Sequence, residues 1–237
     1  MSVPHFFTDS IDDDLIRITG EDARHAARAL RITPGEEITV SDGAGHVARA
    51  RAIDVTPSAV TAEVLARETV TEEAPRLIVC PAIPKSGRLE VETQKLTELG
   101  VAEIRPWPAA RSVPRWDAAK ARKHGERLRA IAYGAAKQSR RAFLPEVADP
   151  GPLAGLPTTT IVLHEEEDGR LSGALPAAAP SVIALIVGPE GGLTSGELDA
   201  FRAQGARVVG LGPQVLRTET ATIVAATLVL GRFGRIG

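Results

Sequence analysis

This chain has one cysteine, few aromatic residues and no long apolar run. Among its 237 residues Cys80 is the single cysteine, so an internal disulfide is excluded. Cys80 closes the apolar run 77–79 and reads as a small buried side chain rather than a nucleophile. Aromatics make up 3% of the chain, so stacking of bases on aromatic platforms is not the expected way of recognising nucleic acid, and Trp107 and Trp116 read as core or interface residues. No stretch reaches the roughly 18 apolar residues of a membrane span. Residues 1–7 lack the charged and apolar regions of a signal peptide, and the expected location is the cytoplasm. The five histidines are scattered, and no His, Cys or carboxylate cluster has metal spacing, so no metal is expected. A hydrophobic content of 43% is ordinary for a globular chain of one large or two small domains.

Net charge is only −2, but its distribution is uneven. Between Arg111 and Arg141 ten Lys and Arg stand against Asp117 and Glu126, a local +8 that leaves about −10 for the rest. Such asymmetry fits either an electrostatic footprint for a polyanion or a solvated helical face.

The hydrophobic period changes along the chain. Up to residue 70, short alternating strands at 37–40, 46–50 and 59–64 surround the turn Asp42-Gly43, a hairpin signal. A helix over 20–30 interrupts them, with Asp22 placed to cap it. This predicts a small β-barrel over residues 1–70. The polar segment 67–75 breaks the alternation and ends in proline, which reads as a linker, with 71–75 separating the two domains. From 76 to 237, apolar runs at 77–80, 104–107, 160–164, 182–187 and 207–211 alternate with helical segments at 88–99, 117–137, 195–203 and 219–232. Continuous apolar strands between helices predict an α/β fold, a parallel sheet covered on both faces, with ligands at the carboxyl ends of the strands.

Two glycine-bearing turns fall at such ends: Ile-Val-Gly-Pro-Glu-Gly-Gly-Leu at 186–193, and Leu211-Gly212 continuing to Leu216-Arg217-Thr218-Glu219-Thr220-Ala221. Glycine there lets a ligand approach the backbone closely. Residues 188–194 lack the Lys-Ser/Thr ending of a P-loop, and Gly210-Leu211-Gly212 lacks the third glycine of a dinucleotide site. Glu190 would repel a phosphate and suits a ligand with a cationic end or hydroxyls, such as a sulfonium nucleoside. No Gly-x-Ser-x-Gly elbow supports hydrolase chemistry. Thr218 is placed to cap the last helix and Glu219 to favour its dipole, whereas the cation Arg217 opposes the dipole and points to a functional partner.

These turns, together with Lys85, Gln94-Lys95 to Glu98-Leu99-Gly100, Arg111-Ser112-Val113 and Gln138-Ser139-Arg140-Arg141 followed by Pro145, resemble the ribosomal small subunit methyltransferase E family of the SPOUT superfamily. The resemblance covers nearly the whole chain and departs at His5, where arginine is common. It implies a PUA-like N-terminal barrel and a C-terminal trefoil knot, which the scarcity of knots would otherwise exclude. It further implies a homodimer and S-adenosylmethionine held by three loops. These would supply Leu163 and His164, then Gly188, Pro189, Glu190, Gly191 and Gly192, then Leu211, Gly212, Leu216, Thr218, Thr220 and Ala221. The implied reaction is methylation of N3 of a specific uridine in 16S rRNA of the small ribosomal subunit. Arg217 would stabilise the charge on O2 and O4, and Glu219 would accept the proton. Arg28, Arg31, Lys85, Lys95, Arg111, Gln138, Ser139, Arg140 and Arg141 would contact RNA. Two readings stay open beside it: a knotted methyltransferase acting on tRNA or 23S rRNA, and a non-catalytic RNA-binding assembly factor.

Overall fold

A computed structural model describes residues 3–85 and 87–237; Met1, Ser2 and Ser86 lie outside the described residues. The chain forms two compact units. One runs up to Glu72 and includes Ala136–Leu144; the other comprises Glu73–Ala135 and Pro145–Gly237.

In the first unit, β1 (His5–Phe7), β2 (Leu15–Thr19), β3 (Glu37–Ser41), β4 (His46–Val55) and β5 (Ala59–Thr69) form one sheet in the order β1-β3-β4-β5-β2. β1 runs parallel to β3, and the other pairs are antiparallel. Alternation places Ile16, Ile18, Ile38, Val40, Ala48, Ala50, Val60 and Ala62 in a single core that Ala23 and Ala26 close from a helical segment. The Asp42-Gly43 turn is built as its residues predict. Asp42 accepts hydrogen bonds from the Ala44 and His46 amides, and Gly43 and Gly45 take positive φ.

Two expectations are corrected here. The helix is not one α-helix capped by Asp22. It is α1 (Gly20–His25) followed by a π-helical turn (Ala26–Leu30), with Thr19 at the N-cap and no side-chain cap. The Asp22 carboxylate is buried and accepts from Lys137 Nζ instead, because Ala136–Leu144 packs into this unit. Residues 67–69 are not linker but the end of β5, paired with 46–48. The Arg67 guanidinium satisfies the carbonyls of Ile11, Asp12 and Asp13, so a polar side chain sits on a fully paired strand.

In the second unit, β6 (Arg76–Pro81), β7 (Glu103–Ile104), β8 (Glu146–Val147), β9 (Thr160–Leu163), β10 (Val182–Val187) and β11 (Arg207–Val209) form an all-parallel sheet in the order β11-β9-β10-β6-β7-β8. Helices α2 (Arg88–Glu98), α3 (Ala118–Gln138), α4 (Leu171–Ala174), α5 (Ser195–Ala203) and α6 (Thr218–Arg232) connect or follow the strands. Successive side chains face opposite ways, so the apolar runs serve two cores. Leu77, Val79, Ile161, Ile183 and Leu185 meet Leu96, Leu128 and Leu230 on one face, while Ile78, Cys80, Val162, Ala184 and Ile186 meet Leu198 and Phe201 on the other.

The strand expected over 104–107 is cut to two residues because Pro106 and Pro108 flank Trp107, which keeps only an isolated bridge to Ala82. The strand expected over 207–211 ends at Val209, since Gly210 turns its amide to the Gly169 carbonyl. Trp107 is buried, donates to the Cys80 carbonyl at 3.1 Å and meets Phe201 edge-on, a core role.

Candidate functional site

The carboxyl ends of three adjacent strands set the site. Leu163 pairs with Val187 and with Val209, so the segments that follow β9, β10 and β11 leave the sheet side by side. They enclose a cavity of about 650 Å³ including its open mouth. Of the residues expected to hold a ligand, Leu163, His164, Gly188, Pro189, Glu190, Gly192, Leu211, Gly212, Leu216, Thr218 and Ala221 line it. Gly191 and Thr220 do not; Thr220 is exposed on the first turn of α6. Val187, Leu193, Gln214 and Val215, within the two turns but not assigned to the ligand, also line the cavity, as does Glu165, which no turn motif contains.

The backbone explains the glycines. Gly192 has φ +70°, a left-handed conformation that side chains disfavour, and a Cβ there would stand 3.1 Å from the Glu165 carboxylate. At Gly210 an added Cβ would come within 2.6 Å of the Glu167 carbonyl oxygen, too close for any side chain. Arg111 braces the first loop: its guanidinium donates to the Gly191 carbonyl at 2.9 Å and to that of Leu193 at 3.5 Å. The next turn is fixed by a capping box, in which Thr194 and Glu197 exchange hydrogen bonds. Burial raises the Glu197 carboxyl, but bonds from the Ala110 and Thr194 amides and the Thr194 hydroxyl, with the Arg111 charge, bring it below the usual range.

The electrostatics are acidic. Glu190 accepts from the Lys85 amide at 3.3 Å. Arg88 lies 3.2 Å from Glu219 and 3.8 Å from Glu190, so one guanidinium holds two carboxylates. Behind them Glu92 is fully buried, and neither of its carboxyl oxygens has a hydrogen-bond partner among the described residues. Burial, then the charges of Glu219 and Glu190, push its pKa up to about 8 against the pull of Arg88, so Glu92 is protonated at neutral pH. Nδ1 of His164 is also buried without a hydrogen bond, with the Glu165 carboxylate 3.4 Å away.

The second loop ends at α6. Thr218 is not the N-cap expected of it: Arg217, in extended conformation, precedes the helix, and Thr218 is its first, buried residue. The Arg217 carbonyl accepts from the Ala221 amide, while its side chain is exposed and its guanidinium makes no hydrogen bond or ion pair among the described residues.

The expected RNA-binding residues fall into two groups. Lys95 pairs with Glu98 on its own helix at 2.8 Å, and Arg111 is committed to the glycine loop. The Lys85 side chain is exposed. Arg28, Arg31, Gln138 and Arg140 are exposed in the first unit, while Ser139 and Arg141 are half-buried there. Arg31 and Arg140 each have φ +54°, ending a helical segment. His5 is buried, with its ring between the Thr39 hydroxyl at 2.9 Å and the Arg141 carbonyl at 3.1 Å; burial lowers its pKa, so at that position the ring is a structural strut.

Comparison with known proteins decides the family. Residues 71–230 match the RNA methyltransferase domain and residues 18–65 the PUA domain of RNA methyltransferases. A ribosomal RNA small subunit methyltransferase E from Mycobacterium bovis is 37% identical over 93% of this chain and 88% of its own length. The chain belongs to the ribosomal RNA small subunit methyltransferase E family. A member from Bacillus subtilis is 34% identical over 90% of this chain and 88% of its own. Among solved structures, the enzyme of the same name from Neisseria gonorrhoeae, bound to S-adenosyl methionine, superposes with a TM-score of 0.88 at 26% identity over all of both chains. A methyltransferase from Legionella pneumophila, also in complex with that cofactor, gives 0.86 at 28% identity over 98% of both. The chain is therefore an RNA methyltransferase with a PUA-like domain ahead of its α/β domain. Among the described residues no helix is long and apolar enough to cross a membrane, and no group of His, Cys, Asp and Glu could hold a metal ion.

Proposed function

We propose that this chain uses S-adenosylmethionine to methylate N3 of a specific uridine in 16S rRNA of the small ribosomal subunit. The observation that carries the reading is the cavity at the ends of β9, β10 and β11, closed by glycine turns and edged by Glu190 and Glu165. Its donor set fits that cofactor: carboxylates face a cationic, hydroxyl-bearing ligand, the glycines let its body lie against the backbone, and the unmet Nδ1 of His164 offers a polar contact. The relatives' names supply the RNA. Bound there, S-adenosylmethionine supplies an electrophilic methyl group.

The chain's own residues would then do the following. Uridine N3 must lose its proton, and the resulting charge spreads onto O2 and O4. Arg217, unpaired at the start of α6, is the cation positioned to meet it. Glu219 accepts the proton, with Arg88 at 3.2 Å holding the carboxylate in place. The first domain, residues 1–70, would hold RNA phosphates through Arg28 and Arg31, aided by Gln138, Ser139, Arg140 and Arg141. The domain spanning 76–237 would carry the reaction. The path from β11, at the sheet edge, to α6, which packs on α2, β6 and β10, supports the trefoil-knotted form of this fold. The working unit would be a cytoplasmic homodimer.

Primer extension on 16S rRNA tests the reading, because N3-methyluridine cannot pair and stops the polymerase. A strain lacking the gene should lose one stop, and the gene should restore it. A stop that persists without the gene, or moves to tRNA or 23S rRNA, would overturn it. Calorimetry with S-adenosylmethionine separates an enzyme from an assembly factor that has lost the reaction.

A further inference from the structure

The same unit has a second cavity, also about 650 Å³. Lys85 lines it, while the Lys85 amide donates to Glu190 at the edge of the cofactor pocket. Four more lining residues give it chemistry: Glu90, Trp116, Lys120 and His124. The Trp116 and His124 rings stack with centroids 3.9 Å apart and planes 1° from parallel, and both line the cavity. Trp116 is half-buried, packs against the core and also lines this space, so it is neither a plain core residue nor a plain surface one. Oε1 of Glu90 is 3.4 Å from Arg127, whereas Oε2 is buried and has no hydrogen-bond partner among the described residues. Lys85 and Lys120 are exposed, and neither ammonium has a partner there.

Three demands converge on one ligand class. A flat ring system would extend the Trp116–His124 stack, an N–H donor would satisfy Glu90 Oε2, and a negative group would meet Lys85 and Lys120. An inorganic anion meets only the last and would sit near a carboxylate. An apolar peptide meets none of the polar demands and would bury two lysines. A nucleotide meets all three.

We propose that this cavity holds an unpaired nucleotide of the RNA other than the one methylated, its base extending the Trp116–His124 stack with an N–H donated to Glu90, its phosphate held by Lys85 and Lys120. It is not the reacting uridine, whose N3 must face the first cavity, where Arg217 and Glu219 act on it, and neither of those residues lines this one. The assignment rests on the RNA methyltransferase reading above and adds a base-reading subsite to it.

The test uses the full-length protein with tryptophan fluorescence as readout. A mixed-sequence single-stranded hexaribonucleotide is compared with an abasic ribose-phosphate hexamer of equal charge. The hexaribonucleotide should quench emission and bind about tenfold tighter than the abasic chain. Trp116→Leu should abolish that difference, and Glu90→Gln should cut it several-fold, with S-adenosylmethionine affinity unchanged by calorimetry as the sign of intact folding. If Trp116→Leu fails that folding control, His124→Ala and Glu90→Gln decide. Equal affinity for both hexamers, or variants that bind like the parent, overturns the proposal. So does quenching that rises with protein concentration in the absence of RNA, which would mean that a second copy covers the cavity. The 16S primer-extension result is separate: a restored stop without base-dependent quenching defeats this subsite alone, whereas an unaltered stop in the deletion strain defeats the proposed function.

Discussion

The two ends of the basic stretch 111–141 carry similar charge and do different things. Toward the upstream end Arg111 is held by the glycine loop and Arg115 by the carbonyls of Ala109, Ala110 and Ser112, and further along α3 Arg129 is held by Asp149 and the Val147 carbonyl, with Arg122 exposed between them. At the downstream end the segment 136–144 belongs with the first unit, and Arg140 stands exposed in a left-handed conformation that turns the chain out of α3. A charge count therefore overstates an electrostatic footprint. What matters is which cations are left without a protein partner, and by that measure Arg28, Arg31, Arg140 and the distant Arg217 form one class and Arg88, Arg111, Arg115 and Arg129 another.

The largest expected break between the classes is at Arg217. If an unpartnered cation at the start of α6 is reserved for the charge developing on the base, Arg217→Ala should lower turnover about 10²–10³-fold. Cofactor affinity should stay within about twofold, since the side chain is exposed and makes no internal bond. Single-turnover methyl transfer together with calorimetry checks both halves, and unchanged turnover would remove Arg217 from the mechanism.

Carboxylates show the same division. Glu190 and Glu219 share Arg88, whereas Glu92 beside them has no hydrogen-bond partner among the described residues and keeps its proton up to about pH 8. A carboxyl whose folded-state pKa lies above the ordinary value near 4.5 contributes stability that is fully present below 4.5 and lost as pH rises through about 8. Glu92→Gln removes that loss. Its melting temperature should match the parent near pH 4 and exceed it by roughly 10 °C near pH 8.5, as a gain of about 4 kcal/mol would give in a chain of this size. Parallel melting curves across that range would show that Glu92 ionises normally.

How much of this is legible in the sequence depends on the range of the interaction. The run 182–187 and the turn 186–193 are local: an apolar strand followed by Gly-Pro-Glu-Gly-Gly dictates its own ending, and six of the sixteen residues lining the cavity come from it. Arg88 cannot be found that way, because its partner Glu219 lies on another helix more than a hundred residues on and no local rule links them. Arg111 reads as an RNA contact for the same reason, since nothing near it in the chain announces the Gly191 carbonyl. Asp22 reads as a cap from its neighbours, but Lys137 claims its carboxylate. Composition alone places Trp116 in a core or interface, whereas the ring that stacks on it, His124, comes from the next helix.

The exposed class should govern RNA binding. Arg28→Ala with Arg140→Ala should weaken binding to a 16S fragment about tenfold and reduce the slope of log affinity against log salt by about two, with cofactor affinity unaltered. A slope equal to the parent's would mean that these arginines do not reach phosphate.

Arg111→Ala should give the opposite signature, and a smaller one. Its guanidinium contributes charge-assisted hydrogen bonds to the Gly191 and Leu193 carbonyls, but the side chain is exposed, so solvent screens much of their value and about 1 kcal/mol is the expected loss. Without that brace the loop 188–192 is held by the Gly192 amide bonding the Pro189 carbonyl and by the fixed start of α5, so it should loosen rather than collapse. S-adenosylmethionine affinity should fall about fivefold, while the salt slope for RNA stays that of the parent. A variant that keeps its cofactor affinity and loses a unit of salt slope would place Arg111 with Arg140 after all, and would mean that its contact with the glycine loop gives way when RNA binds.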